Sequence, residues 1–350
     1  MKTTYRPISI FCMALTAILL SVVASSCEKM FMDDDMESTP TATFEYLWQQ
    51  IDERYSQFDV KNLDWQAVHD MLAPRVSDDM SDDSLFVVLG DMLNTLNDGH
   101  VNLWSPVDIF SSEAIFLQRY GNANFDQTTV LLNYLRHNSH STGGFVYNTV
   151  GGGRVLYIRY SSFMNDADTK TLHYIMDKYK DLDGIIFDIR QNGGGSIQNE
   201  WNIMALLPSK GQLLYRTQAK SGPRHDDFTP LVDVHAPDND EQYSPYTKPF
   251  VVLTDRGCYS AASSFSLCVR TYDNVTVMGD TTAGGLAVPT GGALPNGWYY
   301  RFGVTRTIAP DGVNYEEGVP PDQVVLLDPA AVMTGHDNII DSAITLITNK

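Results

Sequence analysis

The sequence predicts an α/β protein: a mostly parallel sheet with crossover helices, preceded by a small N-terminal helical domain. Two patterns carry this reading. From Thr43 to about Val101, apolar residues recur with a helical period, each run presenting one face for burial. After Gly153, short apolar runs alternate with helical segments, the pattern of parallel strands joined by crossing helices. At 350 residues the chain is long enough for two such units and a sizeable core.

In chain order, residues 1–26 read as an export signal: Lys2 and Arg6, then an apolar stretch from Ile8 to Ala24, then small residues. Ser9, Thr16 and Ser21 interrupt the stretch, which falls short of the roughly 20 apolar residues of a membrane-spanning helix. Ala24-Ser25-Ser26-Cys27 resembles a bacterial lipobox, and this resemblance implies acylation of Cys27 and a membrane partner reached through that lipid. The expected address is therefore the cell envelope, periplasm-facing or surface-exposed on the outer membrane. Residues 27–42, with Asp33-Asp34-Asp35, are an acidic tether.

The helical domain spans 43–104. Phe44, Leu47, Trp48, Ile51 and Tyr55 share one helix face, Asp64 starts a second helix, and Ser81 to Asp83 cap a third. That third helix has a stripe of Leu85, Val88, Leu89, Met92, Leu93 and Leu96, and ends at Asn97-Asp98-Gly99. Residues 105–152 are poorly patterned and rich in turns, a connecting segment. Residues 153–350 form the core domain. Its expected strands are Val155–Tyr160, Ile185–Ile189, Phe250–Thr254 and Val275–Met278, with helices from about Ala167 and after Ser196 and Ser260. An insert at 209–247, rich in Pro, Gly and charge, is a surface excursion or lid. Pro295-Asn296-Gly297 marks a hairpin turn.

The charge narrows the partners. With 43 acidic against 24 basic residues the formal charge is −19, which repels nucleic acid. Once Cys12 leaves with the signal and Cys27 carries lipid, only Cys258 and Cys268 remain, too few for a disulfide framework. No metal-binding spacing is visible, and no cofactor is implied.

Three segments carry chemistry. Asp188-Ile189-Arg190-Gln191-Asn192-Gly193-Gly194-Gly195 follows a buried strand and opens a helix; its glycines let backbone N–H groups face an anion or oxyanion. The sequence lacks the Gly-Lys-Ser/Thr ending of a phosphate loop. Gly257-Cys258-Tyr259-Ser260-Ala261-Ala262 places a serine at a helix start, where a simple cap is the plain alternative. Small residues after it leave room for a substrate and expose the Ala261 N–H. Asn97-Asp98-Gly99-His100 delivers a histidine from the end of a helix, and a serine hydroxyl needs such a base.

Together, Leu96–His100, Gly184–Gly195, Val251–Gly285 and Glu317-Gly318-Val319-Pro320-Pro321-Asp322 resemble the signature regions of the C-terminal processing and tricorn-like serine peptidases, the tail-specific protease superfamily. The resemblance implies a ClpP/crotonase-like core and hydrolysis of peptide bonds in proteins or peptides through an acyl-enzyme. The processing branch has a lysine base about 25 residues after the serine; here that position is Gly285, and no lysine lies between Lys248 and Lys350. The resemblance therefore points to the tricorn-like branch, with Ser260 as nucleophile, His100 as base and Glu317 as the orienting acid, Glu316 adjoining it as the alternative. It further implies that Ala261 and one of Gly193, Gly194 and Gly195 bind the oxyanion.

Three positions depart from that pattern. Gly99 stands where the tricorn-like design has a second serine, and Ser263 where a glutamate is common. Residues 105–152 are too few for the family's PDZ module. A catalytically inactive peptide-binding lipoprotein of the same fold is the competing expectation. An acyl-CoA enzyme on the related fold is disfavoured by the acidity and the exported address. The oligomeric state is not read from these residues.

Overall fold

The protein is described by a computed structural model covering residues 37–112, 124–239 and 243–349. The expected signal, Cys27 and most of the tether lie outside the described residues. Among the described residues no helix is long and apolar enough to cross a membrane.

The helical part comprises α1 (Pro40–Arg54), α2 (Trp65–Leu72) and α3 (Asp82–Asn94). Each starts where a side-chain oxygen accepts an otherwise unpaired N–H: Thr39 from Ala42, Asp64 from Ala67, Ser81 from Ser84. Thr39 and Pro40 set the first start, so the helix begins three residues earlier than the periodicity indicates. Phe44, Leu47, Ile51, Leu89 and Met92 are fully buried. The indoles of Trp48 and Trp65 each donate to the other's backbone carbonyl, at 3.2 and 3.1 Å, fastening α1 to α2.

This helical core is not closed by the helices alone. It continues into Leu103 of β1 (Asn102–Trp104) and into Leu294, Trp298, Tyr300 and Phe302. A four-stranded antiparallel sheet, β11-β12-β1-β2, supplies that wall, with β2 at Ile109–Ser111, β11 at Pro289–Ala293 and β12 at Tyr299–Gly303. The turn at Pro295-Asn296-Gly297 joins β11 to β12, Gly297 having the positive φ of 84° that such a turn requires.

The central sheet has seven strands in the order β14-β10-β9-β6-β5-β4-β3. In chain order these are β3 (His140–Thr142), β4 (Phe145–Val150), β5 (Val155–Tyr160), β6 (Gly184–Asp188), β9 (Phe250–Thr254), β10 (Val275–Gly279) and β14 (Gln323–Val324). From β14 to β5 every neighbouring pair is parallel; β4 and β3 add an antiparallel edge. Residues 105–152 are thus more than a connection, because 140–150 build two strands of the core. Gly151, Gly152 and Gly153, all at positive φ, make the β4–β5 turn.

Both faces of this sheet are buried, as a parallel sheet requires. Leu156, Ile158, Ile185, Phe187 and Val252 face α4 (Thr169–Lys178), α5 (Ile197–Met204) and α6 (Ala261–Val269). Their alternates Val155, Tyr157, Ile186, Val251 and Leu253 face α7 (Asn338–Thr348) through Ile339, Ile340, Ala343 and Ile347. Cys258 and Cys268 are free and buried in the first of these layers.

The insert is ordered into β7 (Leu213–Ala219) and β8 (Val232–His235), which pair with β13 (Thr305–Ile308) in a three-stranded sheet. This sheet forms one wall beside the C-terminal ends of β6 and β9, the end where parallel α/β sheets present their sites.

Candidate active site

Two strand-to-helix turns at the C-terminal edge of the central sheet build the site. After β6, a buried ion-pair network fixes the chain direction. The Arg190 guanidinium contacts Asp188 at 2.7 Å and Asp337, the N-cap of α7, at 2.8 Å, while the Tyr157 hydroxyl donates to Asp188 at 2.7 Å. Arg190, Asp188 and Asp337 are all inaccessible to solvent. The charges satisfy one another, and so hold the loop that follows.

After β9, Ser260 sits at φ 56° and ψ −121°, a region that side-chain-bearing residues seldom occupy. Such strain persists only where surroundings enforce it. Here Ser260 N–H donates to Gly284 O at 3.0 Å and Tyr259 N–H to Asn192 O at 3.0 Å. The result is a sharp elbow that lifts the serine off the start of α6. Gly194 packs against the elbow, and a Cβ there would lie 2.5 Å from Tyr259 O and 2.8 Å from Ser260 Cβ.

The structure brings His100 to this serine across 160 positions of sequence: Nε2 lies 3.0 Å from Ser260 Oγ. His100 follows the turn after α3, where Asn97 adopts φ 45°, and its own N–H donates to Asp98 Oδ1 at 2.8 Å. Burial pushes the imidazole below its ordinary pKa; Asp98 opposes this shift and Arg301 adds to it. His100 Nδ1 is buried without a hydrogen-bond partner among the described residues.

Acids and phenols pack around the imidazole. Side-chain atoms of Asp98, His100 and Glu316 lie within 4.8 Å of one another. Asp98 accepts from the Tyr55 hydroxyl at 2.8 Å and the Tyr259 hydroxyl at 3.2 Å. Glu316 is buried and accepts from Leu286 N–H at 2.9 Å and Ala287 N–H at 2.8 Å. Burial, then the neighbouring Asp98 charge, pushes the Glu316 carboxyl well above the usual carboxylate range.

Glu317 is not in this group, which corrects the sequence expectation. Its side chain is 58% exposed and pairs with Lys61 Nζ at 2.5 Å. Glu316 and Glu317 are the two central residues of a turn closed by Gly318 N–H donating to Tyr315 O at 2.9 Å, and the turn buries one carboxyl beside the imidazole while it exposes the other. That residue is Glu316.

The backbone donors also sort themselves. Gly194 N–H is engaged by Asn192 Oδ1 at 3.0 Å, and the one-residue parallel bridge between Phe163 and Gly195 is made by Ser196 N–H donating to Phe163 O at 3.0 Å. Ala261, Gly193 and Gly195 N–H groups, all bordering the cavity, have no acceptor among the described residues. The cavity has a volume of about 490 Å³ and is walled by His100, Ser260, Glu200 and Ala287 together with Tyr215 and Thr217 of β7. Gly285 stands 25 residues after Ser260, where the processing branch has its lysine. At φ +75° its Cβ would meet the Tyr259 ring at 2.3 Å, so the place a lysine stem would need is occupied by the phenol bound to Asp98.

The model of peptidase family S41 matches residues 154–325, and that of the tricorn protease C1 domain matches residues 36–94. A crystal structure of a candidate peptidase from Parabacteroides merdae is 35% identical with a TM-score of 0.82, over 89% of this chain and 97% of that one. The chain belongs to peptidase family S41. Among curated relatives, the carboxy-terminal processing protease CtpA of Bacillus subtilis is 26% identical over 179 residues, 50% of this chain and 36% of its own length. The chloroplastic C-terminal processing peptidase of Tetradesmus obliquus is 25% identical over 185 residues, 52% of this chain and 37% of its own. This chain therefore spans little more than a third of those relatives. Mature CPAF, at 12% identity and a TM-score of 0.64 over 88% of this chain and 96% of its own, shares the fold.

Sequence reasoning missed Tyr55 and Tyr259 as partners of Asp98. Asp98 stood two residues before the histidine, at the spacing that lets an aspartate accept a backbone N–H in a turn. That spacing was the signal available for it.

Proposed function

We propose that this S41 peptidase hydrolyses peptide bonds through an acyl-enzyme on Ser260, with His100 as general base. The contact of 3.0 Å between His100 Nε2 and Ser260 Oγ, inside a cavity bordered by unengaged N–H groups, carries the proposal. His100 takes the hydroxyl proton as Ser260 Oγ attacks the scissile carbonyl, then gives it to the leaving amine. Ala261 and Gly193 N–H groups stabilise the tetrahedral oxyanion, and the dipole of α6 favours the same charge. Asp98 and Glu316 stabilise the imidazolium and orient its ring, Glu316 replacing Glu317 in that role.

Substrates are peptides or proteins that can enter from the side of β7. Acylation of Cys27 and residence in the cell envelope belong to the same proposal, supported by Ala24-Ser25-Ser26-Cys27 following the apolar stretch. Metabolic palmitate incorporation should vanish in Cys27→Ala. The peptidase is tested by incubation with a fluorophosphonate and a fluorogenic peptide library. Hydrolysis together with a stoichiometric adduct on Ser260 is expected, both lost in Ser260→Ala; an unlabelled, inert wild-type protein would instead leave a peptide-binding lipoprotein.

A further inference from the structure

One buried acid in the cavity has no part in the proton transfer described above. Glu200, the fourth residue of α5, is 1% exposed, and its Oε1 has no hydrogen-bond partner among the described residues. It nevertheless borders the cavity that holds Ser260. Among the described residues no basic side chain pairs with it. Burial pushes its carboxyl well above the usual carboxylate range, opposed only by a hydrogen bond with Ser264. An unpaired acid sealed into a core costs several kcal/mol when ionised, so structures seldom keep one without a partner.

The position of Glu200 suggests what that partner is. Ser264, the side chain facing it, lies four residues after Ser260, one helical turn further along α6 and also on the cavity wall. Four residues of helix rise about 6 Å, so the hydroxyl that meets the Glu200 carboxyl stands one turn of α6 away from the nucleophile, within the span of an extended four-carbon stem. Tyr215 and Thr217 of β7, with Leu286, line the same cavity and offer ring, methyl and isobutyl groups against which an alkyl stem can lie.

The geometry points to Glu200 as the specificity-determining residue of a recess that receives a lysine or arginine side chain, from the residue contributing the scissile carbonyl. This inference rests on the peptidase reading and adds the class of substrate. The incoming cation gives the buried carboxyl its missing counter-charge, and the substrate lacking the cation leaves the carboxyl unpaired.

Otherwise identical fluorogenic peptides carrying Lys, Arg, norleucine, Leu or Glu before the scissile amide test it. Norleucine keeps the lysine stem without the ammonium. In the wild-type enzyme kcat/KM for Lys and Arg should exceed that for norleucine by at least about 10²-fold, since a site built around a buried polar group rejects an analogue that leaves it unpaired. In Glu200→Gln the Lys-to-norleucine ratio should collapse by at least about 30-fold, mostly through KM, and Glu200→Asp should restore part of it. A wild-type enzyme that cleaves norleucine or Leu peptides as well as Lys peptides would overturn the inference and leave the peptidase reading intact, and so would a ratio untouched in Glu200→Gln. Absence of hydrolysis and of Ser260 labelling would overturn both. The wild-type profile decides the matter even if the variants fold poorly.

Discussion

At the residue scale, two adjacent acids near the imidazole have opposite surroundings. Glu316 and Glu317 are indistinguishable in composition, but one is buried beside Asp98 and His100 and the other reaches Lys61 at the surface. Glu316→Gln is therefore expected to lower kcat/KM by about 10²-fold, since the amide can neither share a proton with the imidazole nor become charged beside the imidazolium. Glu317→Gln should stay within about threefold of wild type, because an exposed ion pair contributes little. Steady-state kinetics on the two variants separates them, and the reverse order would return the role to Glu317. The pH profile tests the same ring. Catalysis needs neutral imidazole, so kcat/KM falls as pH drops through the His100 pKa. Burial holds that pKa below its ordinary value near 6.5, so the acid limb should have its midpoint below that value. A midpoint above it would mean that the acids around Nδ1 outweigh desolvation.

At the scale of elements, the two strand-to-helix turns are what make the site. Ser260 occupies its strained conformation because the Gly193–Gly195 loop and residue 284 hold the elbow from both sides. Gly194→Ala drives a methyl group into Tyr259 O and Ser260 Cβ, with φ already at 93°. The expected outcome is a loss of about 10²-fold in kcat from displacement of Oγ, with about 1–3 kcal/mol lost in stability. Urea titration and kinetics on the purified variant measure both; an active Gly194→Ala would show that the elbow tolerates a shift. These turns were legible in the sequence because glycine runs and a serine after a buried strand are local signals. The strands at 140–150 were not, since His140 to Thr142 lacks an alternating apolar face and takes its pairing from β4. The insert likewise reads as charged and turn-rich, yet β7 pairs with β13 from the far end of the chain.

At the scale of the whole molecule, the parallel core could be anticipated because each β-helix-β unit is local, whereas the boundary of the helical part could not. Trp298, Tyr300 and Phe302 complete the core of α1 to α3, so the segment 43–104 leans on residues about 200 positions away. His100 is carried by that segment, and its contact with Ser260 depends on both layers docking. Unfolding followed by tryptophan fluorescence, with Trp48, Trp65 and Trp298 in the shared core, should therefore coincide with loss of far-UV signal from the central sheet and with loss of activity. A fluorescence transition that precedes the others would show that the helical part unfolds on its own.

The central claim is that Ser260 and His100, brought together by that docking, act as one proton-transfer unit. A double-mutant cycle on kcat/KM tests it most directly, because residues acting as a unit lose their effect together. Ser260→Ala and His100→Ala should each cost on the order of 10³-fold or more, and the double variant should be scarcely worse than either. Losses that multiply, or a His100→Ala enzyme that keeps near-full hydrolysis while Ser260→Ala has none, would contradict the account and place the base elsewhere in the chain.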